Sequence, residues 1–321
     1  MKLSIPYVRG ISKIIKEYKN NIYDVYFTDD VLQSARPRTT HNTEYMNLYK
    51  EMEEIRVQGV KRTFLLNSIM INDPSLKDLR SDPVRKTVNH LARIKDKYDI
   101  ITVNNLMYLY DPDFIEVTQG KKLKNSVNNK IDSLYKLEEC FKITDWDAIN
   151  IDRRINRNNK LINQMCKAVR DKGAVSYVLV NEGCHWDCIF KEYCDISMTD
   201  RNQMTSFSCL EHYNIGKPES YLKTPLLFHD NVQHIDADVF KISGRFNPVD
   251  IIEKRIRHYL YGENITLGEL IDKPFEEGDP VEHMDYKTLN KYSMTEYLYD
   301  CKNNCLNCSK CDNIRNILWY H

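Results

Sequence analysis

Short apolar, β-branched runs alternate with longer amphipathic segments along most of this chain. That alternation restricts it to folds in which strand–helix units repeat around a parallel sheet. Eight runs read as strands: Lys2–Tyr7, Asp24–Thr28, Thr63–Ser68, Ile100–Asn105, Phe114–Gly120, Ala148–Arg154, Val175–Asn181 and Val239–Arg245. Helical periodicity occupies Ile11–Tyr18, Thr43–Gln58, Pro83–Lys97, Val127–Cys140, Asn158–Lys172 and Pro248–Tyr261. Gly173 and Gly262 follow the last two, where helix ends favour glycine. The fold class is therefore α/β, a TIM-like (β/α) eight-stranded barrel, and 321 residues suffice for one such barrel with insertions.

Two stretches depart from the repeat. The link Leu106–Asp113 is too short for a helix between strands four and five and reads as a loop or single turn. Glu182–Asp238 is far longer than an ordinary loop, and such insertions commonly carry function. The barrel then spans residues 1–262, including the 182–238 insertion, and residues 263–321 form a cysteine-rich C-terminal appendage. That appendage holds Pro274, Pro280, a helical Lys287–Asp300 and four cysteines.

Charge narrows the partners. Lys plus Arg (46) equals Asp plus Glu (46), so no global positive field exists to gather nucleic acid or anionic lipid. The opening MKLSIPYVRG lacks the apolar core of a secretory signal, and no run reaches the roughly 18 apolar residues needed to span a bilayer. A cytoplasmic location is expected. In a reducing compartment the ten cysteines are poor disulfide material, and their clustering points to metal ligation. Cys140 and Cys166 stand apart in helical patterns and read as small buried apolar side chains.

Cys301, Cys305, Cys308 and Cys311 are separated by three, two and two residues. Structural zinc takes two Cys-x-x-Cys knuckles held well apart, whereas nearly fused pairs match the ferredoxin run that wraps a 4Fe-4S cubane. An iron–sulfur cluster is the leading expectation, with zinc and unliganded thiols as alternatives. The first three also spell the radical S-adenosylmethionine pattern, but they follow the whole barrel, and Cys311 would close the open iron.

A second group, Cys184, Cys188, Cys194 and Cys209, begins just past the seventh strand, on the face where barrel loops build sites. His185, His212, His229 and His234 keep a mixed Cys/His zinc site open, and a structural staple for the insertion is the bland alternative. A tail folding back over the mouth could also unite the two groups over one metal.

Strand ends supply the polar groups. Alternation turns Lys241, Ser243 and Arg245, and likewise Asn150, Asp152 and Arg154, toward the lumen. A Lys241–Asp152 contact follows from that parity, either as catalytic machinery or as a structural ion pair. Asn67, Asn104 (or Asn105), Asn181 and Glu182 complete a mouth suited to a small anionic ligand, although each alone is as readily a cap or turn residue. Arg245 could grip a carboxylate, and Lys241 could form a Schiff base. The expected catalytic set is Asp152, Glu182, Lys241 and Arg245, with Asn67, Asn104, Asn181 and Ser243 as ligand-binding residues.

Asp152 through Asn158, VNEGC (Val180–Cys184) with Cys188, and FKISGR (Phe240–Arg245) together resemble the collagenase-like peptidase family U32. The resemblance implies the branch of oxygen-independent ubiquinone and RNA hydroxylation proteins, whose barrels carry a four-cysteine cluster and are linked to prephenate as an oxygen source. By position, Cys184, Cys188 and Cys209 match family cysteines, and FKISGR matches the last-strand motif. Cys194 and the tail quartet depart from that pattern. The expected function is an iron–sulfur-dependent hydroxylase or related redox enzyme acting with a small anionic ligand. The alternatives are a zinc-stabilised hydrolase, lyase or peptidase, and a non-catalytic subunit that pairs with a related barrel.

Overall fold

A computed structural model describes the chain over residues 1–29, 42–66, 83–186, 188–191, 222–272, 284–299, 301 and 307–319. Asn67, Cys194, Cys209, His212, Cys305 and most of the insertion after strand seven lie outside these residues.

Eight parallel strands form a closed barrel in chain order. They are β1 (Leu3–Pro6), β2 (Ile22–Phe27), β3 (Lys61–Leu66), β4 (Ile100–Val103), β5 (Lys122–Asn125), β6 (Ala148–Ile151), β7 (Val175–Leu179) and β8 (Val239–Lys241). Pairing of Leu3 with Phe240 and Ser4 with Lys241 joins the first strand to the last. The intervening helices are α1 (Ile11–Tyr18), α2 (Asn42–Val57), α3 (Pro83–Arg93), α4 (Pro112–Thr118), α5 (Leu134–Ile143) and α6 (Asn159–Asp171). After β7 come α7 (His229–Val232) and, past β8, α8 (Val249–Tyr261).

The two faces of the strands serve different cores. Outward residues such as Ile5, Val25, Phe64, Val103, Ile149, Val178 and Ile242 pack beneath the helices in one apolar cluster. Helix α1 shows why it docks: Ile11, Ile15 and Tyr18 fall on one stripe and are buried. Each such side chain stabilises the packed state by about 1.5–3 kcal/mol. Inside the barrel, Ala148, Tyr177 and Val239 form a separate small cluster. Above them the lumen is lined by Ser4, Asp24, Thr63, Thr102, Lys124 and Asn150, all buried.

Strand five falls at Lys122–Asn125, and Phe114–Gly120 is mostly helix α4, which corrects the sequence reading at two points. The FIEVT text has strand-like composition. Local chemistry overrides it: Asp111 caps the helix by accepting from Phe114 N at 2.8 Å, and Pro112 starts its first turn. A 3₁₀ turn, Leu106–Tyr110, fills the link that reads as too short for a helix. Likewise α5 starts only at Leu134, because Lys130 takes a left-handed conformation and Ser133 caps the helix at Lys136 N.

Beyond α8 the chain continues through α9 (Leu267–Leu270), α10 (Tyr286–Lys291), α11 (Met294–Tyr299) and α12 (Lys310–Trp319). The helix read over Lys287–Asp300 is therefore two helices, divided near Ser293, whose φ is 54°. Leu267, Leu270, Leu289, Met294, Leu298 and Ile314 belong to the same apolar cluster as the barrel's outer layer. Cys140 and Cys166 are core residues, and burial pushes their thiols up to about 11 and about 12. Among the described residues no helix is long and apolar enough to cross a membrane.

Candidate active site at the barrel mouth

Four side chains that are not sequence neighbours meet in the lumen. Asp24 on β2 accepts from Lys124 Nζ on β5 at 3.2 Å and from the Thr63 hydroxyl on β3. The Lys124 ammonium also lies 4.1 Å from the centroid of the Tyr177 ring on β7. Contacts between β2, β5 and β7 can cross only through the barrel interior. Both ion-pair side chains are fully buried, so each needs the other to remain charged. Burial pulls the Lys124 ammonium below the ordinary lysine range, and Asp24 opposes that pull.

Lys241, at the end of β8, lies nearer the mouth. Its Nζ stands 4.6 Å from the centroid of the Tyr26 ring, and Tyr26 itself donates to Ile242 O at 2.7 Å. Burial, and then the positive charge of Lys124, lower the Lys241 amine to about 7. A cleft of about 100 Å³ opens over it, lined by Lys241, Ser243, Arg245, Glu182 and Arg153 among others. A second cleft of about 210 Å³ continues past Asp152, Arg154, His185 and Cys188. Val127, Asn128, Arg153 and Lys191 line both, so the two share one rim.

The residues singled out from the sequence fall into different places. Lys241, Arg245, Glu182 and Ser243 line one cleft. Glu182 Oε2 pairs with Arg153 Nε at 2.9 Å, an interaction absent from the sequence reading. Asp152 does not meet Lys241. Its carboxylate caps the following turn through Arg154 N at 2.8 Å and binds Arg154 Nε at 3.1 Å, because β6 ends at Ile151 and the chain turns away from the lumen. Asn181 is fully buried: it accepts from Ser243 N at 2.7 Å and donates to Leu270 O at 2.9 Å and Ser243 O at 3.2 Å. Its amide is thereby used to tie β7 to the segment after β8. Asn104 is buried just past β4, where its backbone amide donates to Leu66 O at 3.0 Å.

The tail thiols reach this end of the barrel through Arg157. That buried guanidinium follows β6, places Nη1 3.6 Å from Cys301 Sγ, and donates to the carbonyls of Leu222 and Thr224. Cys301 and Cys308 are both close enough to Tyr297 to raise its phenol, whose hydroxyl lies 2.8 Å from Cys308 Sγ. The Tyr297 hydroxyl draws the Cys308 thiol below its usual value. Lys223 links the groups further: its carbonyl accepts from Trp186 N at 3.1 Å, beside Cys184 and Cys188, and its Nζ lies 3.4 Å from Asp312 on α12. Among the described residues no three metal-ligating side chains stand together, and none of the described cysteines is in a disulfide. His229 lies elsewhere, with Nδ1 2.9 Å from Tyr259 O.

Asp24, Tyr26, Lys124, Arg153, Arg157 and Tyr297 were not singled out from sequence. Asp24 and Tyr26 share an inward parity that alternation could have exposed. Lys124 was hidden by the misplaced fifth strand.

Fold and mouth together first define a class: a closed (β/α) barrel with its polar and thiol groups on the loops after the strands. No family model matches the sequence. The chain is 23% identical over 326 residues to Uncharacterized protease MJ1657 of Methanocaldococcus jannaschii, a match covering 97% of this chain and 93% of that relative. Among solved structures it resembles the U32 peptidase Mk0906 with a TM-score of 0.51 and 13% identity, over 77% of this chain and 95% of that one. The chain is thus similar over nearly its whole length to a curated protease and shares its barrel fold with a U32 peptidase, in agreement with the resemblance carried by VNEGC and FKISGR.

Proposed function

We propose that this barrel is an oxygen-independent hydroxylase or related redox-modifying enzyme. It binds a small anionic co-substrate, of the prephenate kind that the resemblance implies, and it holds an iron–sulfur cluster through cysteine thiolates beside the mouth. The observation that carries the reading is Arg157, which reaches from the loop after β6 to Cys301 Sγ and so connects a tail thiol to the loops around the cationic cleft. The Tyr297 phenol favours the thiolate of Cys308, and the Arg157 guanidinium brings a donor to Cys301 Sγ. When bound, a cluster would supply electron transfer or Lewis acidity. In the cleft, Arg245 anchors a carboxylate, Lys241 supplies an amine able to take up or release a proton, and the Arg153–Glu182 pair fixes the opposite wall.

A zinc-dependent hydrolase is the second reading, and the name of the curated relative, a protease, favours it. Iron, sulfide and zinc determination on protein purified without oxygen separates the two. The proposal expects brown protein with near-equal iron and sulfide, about four of each per chain. Colourless protein holding zinc overturns the cluster in favour of the hydrolase.

A further inference from the structure

We infer that Lys241 is an imine-forming nucleophile and that the mouth accepts 2-oxo acids, molecules with a carbonyl carbon next to a carboxylate. This deepens the anionic-ligand part of the function proposed above and does not depend on the cluster.

The buried cations of this region divide into two kinds. Lys124 is paired with Asp24, Arg153 with Glu182, and the fully buried Arg255 donates to the carbonyls of Glu269, Ser243 and Ile271 at 2.6, 2.9 and 2.9 Å. Each of those is tied down by acceptors. Lys241 is the exception: among the described residues its Nζ makes neither a hydrogen bond nor an ion pair, and it rests over the Tyr26 ring while lining the cleft. A buried amine without an anionic partner relieves the cost of burial by losing its proton. The lowered value of about 7 agrees with that geometry. At neutral pH such an amine is about half unprotonated, against less than roughly one part in a thousand for an ordinary lysine.

A neutral amine is a poor holder of anions and a good nucleophile toward carbonyl carbon. Arg245, past the end of β8 on the wall of the same cleft, supplies the charge for the carboxylate. In the step itself, the Nζ lone pair forms a C–N bond to the carbonyl carbon. The carbonyl π electrons move to oxygen, which takes one amine proton and gives a carbinolamine. Departure of that oxygen as water, with the second amine proton, leaves a C=N bond; nothing is oxidised or reduced.

The test uses the full-length protein with pyruvate as probe and cyanoborohydride to reduce any imine, followed by peptide mapping; lactate replaces pyruvate in the control. The expected result is one saturable adduct on the Lys241 peptide, at least about tenfold above any other lysine, absent with lactate and lost in Lys241→Gln. An adduct spread over surface lysines, or none at all, overturns the inference, and because this is read on the wild-type chain it does not depend on the variant folding. Pyruvate binding is measured in parallel by calorimetry. Binding without an adduct removes the imine alone and leaves the anionic-ligand reading standing, whereas absence of both removes the two together.

Discussion

Lys124 and Lys241 occupy one lumen, yet among the described residues only the former has a carboxylate against it. Their energetics therefore differ in sign. Removing Asp24 strands a buried charge, so Asp24→Asn is expected to cost about 3–5 kcal/mol in urea unfolding, and the double variant Asp24→Leu with Lys124→Met to recover most of it. For Lys241 the folded value of about 7 lies below the ordinary 10.5. Between those pH values the unfolded chain binds more protons, so stability rises with pH across about 7 to 10.5 and the destabilisation is fully present below 7. Lys241→Met should then stabilise the protein at pH 7 by a few kcal/mol, shrinking toward pH 10.5. Stability that did not change across that window would contradict a depressed amine. Lys241 is legible because a strand with a period of two shows which side chains point inward, whereas Ser243 and Arg245 lie past the end of β8 and reach the cleft through the turn that follows it. The Lys124–Asp24 pair was not legible, since a contact across the lumen leaves no mark on local sequence.

Among the elements, those with one consistent local signal were read correctly. Helix α1 coincides with its predicted bounds, Ile11–Tyr18, because its apolar spacing and flanking glycine agree. Helix α4 was misread because β-branched composition and capping chemistry disagreed, and the cap prevailed. Asp111→Ala should accordingly destabilise the protein by about 1 kcal/mol, measured by thermal or urea unfolding. The segment after β8 is more demanding. Gly244 has a φ of +127°, and a Cβ there would sit 2.0 Å from Arg255 Nη1 and 2.7 Å from Asn247 Nδ2. Gly244→Ala must displace the guanidinium that holds Ser243, and is expected to cost about 2 kcal/mol or more while weakening anion binding at the mouth. Wild-type stability in that variant would show that Arg255 is not the fixed support described here.

At the scale of the whole molecule, the return of the tail to the barrel was foreseen only as one arrangement of the cysteines. What joins them is Arg157, whose donors go to Leu222, Thr224 and Cys301, partners remote from it in sequence. No spacing rule reveals such a contact. Arg157→Met leaves those acceptors buried and should cost about 3 kcal/mol, with faster maleimide labelling of Cys301 followed by mass spectrometry. Unchanged labelling would mean that the tail is held by other contacts. The central claim is that tail thiolates hold a metal centre beside the mouth. Anomalous scattering at the iron edge, from crystals grown without oxygen, tests it most directly. The account predicts an iron peak bonded to Cys301 and Cys308 Sγ, next to Arg157; a map with no peak there, or with iron bound away from both sulfurs, would contradict it.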